Sequence, residues 1–118
     1  MIFKFKAKVP MQRDIILLDF DPQAGVEIQK RRPALVISAT EFQRHTGLAV
    51  VAPITSTIRE SFPLHVKISG ECSVHGDILC EQIKSMDYTA RNWKKVAELA
   101  PEQFTGVQET IAAILDLQ

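Results

Sequence analysis

PALVIS (residues 33–38) and LAVVAPI (residues 48–54) are short, almost wholly apolar runs with β-branched residues in each. Runs of this length and composition read as strands buried on both faces. Pro53, near the end of the second run, suggests an edge position or a bulge, because proline offers no N–H to a ladder. Residues 14–20 (DIILLDF) form a third apolar run bounded by charge, again a predicted strand. Between the first two of these strands in chain order, residues 21–32 (DPQAGVEIQKRR) carry Pro22, Gly25 and mixed charge and read as a long loop. Residues 40–45 fit a single helical turn, with Ser38 or Thr40 as its N-cap and Gly47 as its stop.

Further along, residues 64–68 (LHVKI) alternate. This predicts a strand with Leu64, Val66 and Ile68 inward and His65 and Lys67 in water. Residues 77–83 (DILCEQI) predict another strand, with Leu79 and Glu81 on one face and Cys80 and Gln82 on the other. Residues 93–99 (WKKVAEL) are compatible with strand or helix. The last segment predicts a helix: Pro101 suits its first position and Glu102 its first turn. Phe104, Val107, Ile111, Ile114 and Leu115 then make one apolar stripe at helical spacing. The expected fold is mainly β (α+β): a small closed or half-closed β-barrel with a C-terminal helix over part of it. The length, 118 residues, suits one domain spanning the chain, with a Lys-rich lead over residues 1–13.

Composition narrows the function. Hydrophobic residues make up 46% and charged residues 24%, an ordinary globular balance. No apolar run approaches the ~20 residues of a membrane helix, and residues 1–10 lack the apolar core of a secretory signal. Cys72 and Cys80 form no CxxC pair, so both read as free thiols of a reducing cytoplasm. No two histidines have HxxxH spacing, and no metal site is expected. The net charge is zero, yet Lys4, Lys6, Lys8 and Arg13 put +4 into the first 13 residues. That distribution argues against tight non-specific duplex binding, which draws on many phosphate contacts. It suits a short substrate gripped at a few points.

Three polar clusters interrupt the apolar strands. The first is Glu27 followed by Lys30, Arg31 and Arg32 directly before Pro33. Here a carboxylate and several cations share one segment, and the following strand anchors Arg32. The second is Thr55, Ser56 and Thr57 at a strand end. Such hydroxyls can bind phosphate or a base edge, or equally bond their own backbone in a turn. The third comprises Glu81, Gln82, Lys84, Ser85 and Arg91, polar groups with bases placed to meet phosphate. Each cluster alone can also be a solvated surface.

In combination they carry a resemblance. The order DFDPQAGVE, RRPALVIS, VAPITS and GDILCEQIKSMDYTAR resembles the MazF/PemK toxins of bacterial toxin–antitoxin pairs, over residues 14–118. The resemblance implies an SH3-like barrel with a C-terminal helix, shared with the CcdB gyrase poisons. It implies a homodimer that binds single-stranded RNA in a groove across two subunits and cuts it at short sequences without metal or cofactor. It also implies a MazE-like antitoxin partner that docks a disordered acidic tail. On matching positions, Arg32 and Thr55 take the places of the active-site arginine and threonine. Glu27 takes the acidic loop position, and Glu81 the acidic position that serves catalysis in the PemK branch. The PemK branch has arginine where this chain has Leu79, so the MazF arrangement is the better guide. The family's Gly before the acid opening the first strand is replaced here by Arg13.

The implied chemistry uses the RNA's own 2′-hydroxyl as nucleophile. Glu27 would take its proton, Arg32 would stabilise the phosphorane, and Thr55 would donate to a phosphate oxygen. Arg31, Ser56, Thr57, Glu81, Gln82, Lys84 and Arg91 would contact substrate, and Phe62, Tyr88 and Trp93 are the candidate stacking platforms. An acidic antitoxin tail would compete for Arg31, Arg32, Lys84 and Arg91. Two rivals share the fold: a CcdB-like gyrase poison without catalysis, and an inactive SH3-like binding module.

Overall fold

In the computed structural model, which describes residues 8–20, 31–57 and 63–117, the apolar runs assemble into one antiparallel sheet. Its strands are β1 (Asp14–Asp19), β2 (Arg31–Val36), β3 (Leu48–Thr55), β4 (His65–Lys67), β5 (Asp77–Leu79), β6 (Lys84–Asp87) and β7 (Lys94–Glu98). Helices α1 (Thr40–Thr46) and α2 (Pro101–Leu115) complete it, with 3-10 turns at Cys80–Gln82 and Tyr88–Ala90. The strand order is β4-β5-β3-β2-β1-β7, and β6 also pairs with β3. This path is open, with β4 and β7 at its ends. Glu27, Lys30 and Phe62 lie outside the described residues.

The two apolar runs behave as their composition requires. Ala34, Leu35 and Val36 of β2 have no exposed surface. Leu35 joins Ile15, Ala52, Ile54, Ile78 and Cys80 on the face covered by Phe104, Val107 and Ile111 of α2. Ala34 and Val36 join Ile16, Leu18, Phe20, Ala49, Val51, Met86 and Tyr88 in a second cluster. Each fully buried Leu, Ile or Val contributes roughly 1.5–3 kcal/mol, so a strand sandwiched between two clusters is fixed in register.

Four expectations are corrected. Pro53 is neither at an edge nor in a bulge: β3 is central and continues to Thr55. It falls between the residues of β3 that pair with β6 (Leu48 to Val51) and those that pair with β5 (Ile54 and Thr55). A missing N–H is tolerated there, because no ladder partner stands on that side. The N-cap of α1 is Ala39, with no side-chain cap. Ser38 is engaged with Gln43 and the Val50 N–H, and Thr40 accepts from the Gln12 N–H. Gly47 does end that helix, at φ 75°. The strand expected over residues 77–83 stops at Leu79, and the 3-10 turn replaces the alternation of faces beyond it. Finally, the apolar stripe of α2 ends at Ile111, leaving Ile114 and Leu115 exposed. The ambiguous 93–99 segment is strand, paired with β1.

Arg13 explains itself. Its φ is +81°, a conformation that favours glycine. Its N–H donates to the Val36 carbonyl at 3.0 Å, and its carbonyl accepts from the Leu99 N–H at 3.0 Å. Its guanidinium donates to the Leu99 carbonyl at 2.6 Å. The side chain thus offsets the backbone strain that glycine would avoid.

Two outcomes follow in solution. Arg13→Ala keeps the strained φ and loses the side-chain bond. It should be less stable in urea than Arg13→Gly by about 1 kcal/mol, and equal stability would contradict the strain. Burial, followed by the neighbouring Glu81 charge, pushes the Cys80 thiol up to about 11. At pH 8 its thiolate fraction is therefore about 10⁻³. Iodoacetamide should label half-buried Cys72 and spare Cys80 on mass-spectrometric mapping.

Candidate active site

β2 begins two residues earlier than its apolar run predicts. Its ladder with β1 extends through Leu18↔Arg32 and Asp19↔Arg31, so both arginines stand on a strand rather than in the preceding loop. Successive strand residues face opposite ways. Arg31 turns to the β1 side, where its Nε lies 3.7 Å from Asp19 Oδ1 and its guanidinium donates to the carbonyls of Leu17 and Asn92. Arg32 turns the other way, onto a cleft of about 820 Å³. Pro33 costs β2 nothing, since β3 pairs with β2 only from Ala34 onward.

Thr55 arrives at the same cleft from the end of β3. Its Oγ1 accepts from the Thr57 N–H at 3.1 Å, so the local-turn reading of these hydroxyls is correct. An acceptor role does not consume the hydroxyl proton, which can still donate to a phosphate oxygen. Gly76 makes this placement possible. A Cβ at that position would lie 2.3 Å from the Thr55 carbonyl oxygen, so only glycine lets β5 come alongside Thr55. Asp77 then pairs with Thr55 across the ladder.

The 3-10 turn after β5 supplies the opposite wall, with Glu81 and Gln82 lining the cleft, and Leu79 just before it. Lys84 lines it from β6, its Nζ 5.5 Å from the centroid of the Phe20 ring, a cation–π contact. His65 was expected in water. Its side chain is only 8% exposed, because β4 packs on β5 and the face opposite Val66 meets the 3-10 turn. Its Nε2 is 3.1 Å from Glu81 Oε2 and its Nδ1 3.8 Å from Asp77 Oδ2. Burial raises the Glu81 carboxyl. Its hydrogen bond to its own backbone N–H and the contact with His65 outweigh that, and the group lies below its ordinary value. Alternation in the sequence identified the face that His65 occupies, but not that another segment covers that face.

The cleft thus unites Arg32, Thr55, Thr57, Glu81, Gln82 and Lys84 among the predicted residues. Ser56 is exposed beside it. Arg91 does not line it: its guanidinium donates to the carbonyls of Asp19 (3.0 Å) and Phe20, clamping the end of β1. Tyr88 is buried, its hydroxyl donating to the Gln43 carbonyl at 3.0 Å, and Trp93 packs edge-on against it. Tyr88 is thereby closed off as a stacking platform, whereas half-buried Trp93 lines a separate pocket with Lys94 and Lys95. Asp77, His65 and Glu81 do not converge on one point, since the two carboxylates meet opposite nitrogens of the ring. No group of three or more His, Cys, Asp or Glu among the described residues is arranged to hold a metal ion.

Residues 11–115 match the model of a family described as PemK-like, MazF-like toxin of type II toxin–antitoxin system. The chain is 34% identical over 107 residues to the endoribonuclease toxin MazF of Escherichia coli K12, covering 91% of this chain and 95% of that one. It is 41% identical over 96 residues to the endoribonuclease toxin ChpB of the same organism, covering 75% and 79%. A crystal structure of MazE–MazF from Deinococcus radiodurans superposes with a TM-score of 0.87 at 31% identity, covering 94% of this chain and 99% of that one.

The geometry separates cations that build the fold from those that face the cleft. Arg91→Ala should cost about 2 kcal/mol, as charged hydrogen bonds to two carbonyls are lost. Lys84→Ala should change stability by less than about 0.5 kcal/mol. Urea unfolding of the two variants measures both, and the reverse order would contradict the assignment.

Proposed function

This chain belongs to the PemK-like, MazF-like toxin family of type II toxin–antitoxin systems, and on that premise we propose that it is a sequence-specific endoribonuclease that cuts single-stranded RNA without a metal ion. One observation carries the reading: Arg32 of β2, Thr55 of β3 and Glu81 of the 3-10 turn open onto a single cleft. RNA brings its own nucleophile, so the protein has to supply proton transfer and positive charge at the phosphate. Arginine suits the second task, with paired donors that fit phosphate oxygens.

In the proposed reaction Glu27 takes the 2′-hydroxyl proton. The 2′-oxygen attacks the adjacent phosphorus, and the bond from phosphorus to the 5′-oxygen breaks. Arg32 stabilises the charge that grows on the equatorial oxygens, and Thr55 donates to one of them. The leaving 5′-oxygen takes a proton from solvent water. Products are a 2′,3′-cyclic phosphate and a 5′-hydroxyl. Glu81, Gln82, Thr57 and Lys84 contact the flanking nucleotides. A single strand is required because base edges must be accessible.

The proposed inhibitor is a small MazE-like antitoxin with an acidic tail that orders on binding. In this geometry the tail competes for Arg32 and Lys84. Arg31 and Arg91, already bonded to backbone carbonyls, contribute little to it. A homodimer, with the RNA groove spanning both subunits, completes the reading. The exposed side chains of Met11, Phe42, Ile114, Leu115 and Leu117 leave apolar surface for such contacts.

The test is cleavage of a long mixed RNA in EDTA, with the new 5′ ends mapped. Cutting at a recurrent short sequence is expected, with Arg32→Ala reduced at least about 10²–10³-fold while its circular dichroism stays native. Arg32→Lys should recover only part of the loss, since an ammonium cannot make the paired contact. No cleavage by the wild type, or full activity of Arg32→Ala, would overturn the reading in favour of a non-catalytic relative of the gyrase poisons.

A further inference from the structure

His65 stands outside every role assigned so far. Its side chain is almost wholly covered, it lines the cleft, and it sits between two carboxylates from two other segments. The register explains how they meet: His65 pairs with Leu79 and Lys67 with Asp77, so the imidazole lies alongside β5 with Asp77 at one end and the following 3-10 turn at the other. Glu81, on that turn, would otherwise be free to swing on two methylenes.

We propose that His65 is a positioning residue of the cleft: with Asp77 beside its other nitrogen, it holds the Glu81 carboxylate in the cleft wall as a fixed hydrogen-bond acceptor for the substrate's hydroxyl and amino groups. This deepens the ribonuclease reading and rests on it.

The geometry carries the assignment. A carboxylate can only accept, so the 3.1 Å contact places an N–H on His65 Nε2 donating to Glu81 Oε2. Nδ1 then faces Asp77 Oδ2 at 3.8 Å, and Asp77 is itself buried at 3% exposure. At that distance Asp77 is a charge neighbour of the ring rather than a hydrogen-bond partner, and the other nitrogen is the one that orients the working group. The Glu81 side chain lines the cleft at 24% exposure, and its second oxygen, Oε1, is buried there with no hydrogen-bond partner among the other described residues. Its carboxyl lies below the ordinary value despite burial, with His65 among the causes.

Among the described residues, the charged surroundings are few. From β4 they are His65 and Lys67, from β5 Asp77, from β6 Lys84 and from β2 Arg32. The adjacent Cys80 thiol stays protonated. On its other side the turn meets α2 through Val107 and Ile111, which carry no charge. Removing His65 therefore removes a hydrogen bond and a charge contact that hold the Glu81 carboxyl low, leaving its own backbone N–H and the Gln82 amide to oppose burial. The sign follows. A carboxyl held low is ionised down to a lower pH, and without His65 it takes up its proton at a higher one.

The experiment compares wild type, His65→Gln, Glu81→Gln and the double variant by kcat/KM on a fluorogenic single-stranded RNA between pH 5 and 8. It is paired with a carbon-13 titration of the Glu81 carboxyl. Expected results are a loss on the order of tenfold for His65→Gln, widening as pH falls, and an upward shift of the Glu81 titration. In the Glu81→Gln background, His65→Gln should cost less than about twofold. Equal losses in both backgrounds, or an unmoved Glu81 titration, would overturn the proposal and leave His65 a packing residue. If His65→Gln does not fold, Asp77→Asn takes its place, with the same direction expected and the same outcomes decisive. If wild type cuts no RNA, the ribonuclease reading fails, while the titration still decides the His65–Glu81 pairing.

Discussion

β3 carries pairing partners on both sides, and it exchanges one of them midway. Along one side it pairs with β2; along the other it pairs first with β6 and then, past Pro53, with β5. A strand with clusters on both faces and ladders on both edges has little freedom to shift, since slipping one residue would turn every side chain to the wrong cluster. The exchange of partners at Pro53 opens the sheet at that point. The cleft forms there, with Thr55 at the end of β3, β5 leading into the turn of Glu81 and Gln82 on one side, and Arg32 on β2 across from it. The Thr55–Gly76 approach keeps these walls together. It tolerates no side chain at residue 76, so the cleft depends on a glycine that takes no part in chemistry.

Charge is used sparingly in this neutral protein. Of the five cations that the sequence offers near the site, Arg31 and Arg91 satisfy backbone carbonyls around the end of β1, and Lys30 lies outside the described residues. Among the described residues, Arg32 and Lys84 remain to face a substrate. The acid–imidazole–acid chain from Asp77 through His65 to Glu81 gives the opposite wall an acceptor of defined orientation. Donors and acceptors facing each other across one cleft are what a single-stranded substrate, with phosphates on one edge and base edges on the other, requires.

Legibility in the sequence followed the range of the interactions involved. β1, β2, β3 and α2 were readable because apolar runs and helical spacing are local, and Pro101 and Gly47 mark boundaries by their own backbone preferences. The clustering of Arg32, Thr55, Glu81, Gln82 and Lys84 was reached through motifs in combination rather than through any single residue. Arg31 and Arg91 looked like substrate contacts because their residue type says nothing about whether a backbone carbonyl waits nearby. The alternation of residues 77–83 misled at Cys80, where tertiary packing under α2 favours a turn over a longer strand.

What the sequence determined by itself was the mainly β architecture with its C-terminal helix, the family, and the residue types available for phosphate chemistry. All three depend on side-chain periodicity and motif order within a few residues. The tertiary structure alone decided which of those residues share a cleft. It turned Arg32 onto the cleft and Arg31 aside through the β1–β2 register, and it covered the face of β4 that alternation assigned to water. His65 was thereby set between Asp77 and Glu81, 12 and 16 residues away along the chain. Burial is a property of what lies opposite, and a strand's own sequence does not contain its neighbour.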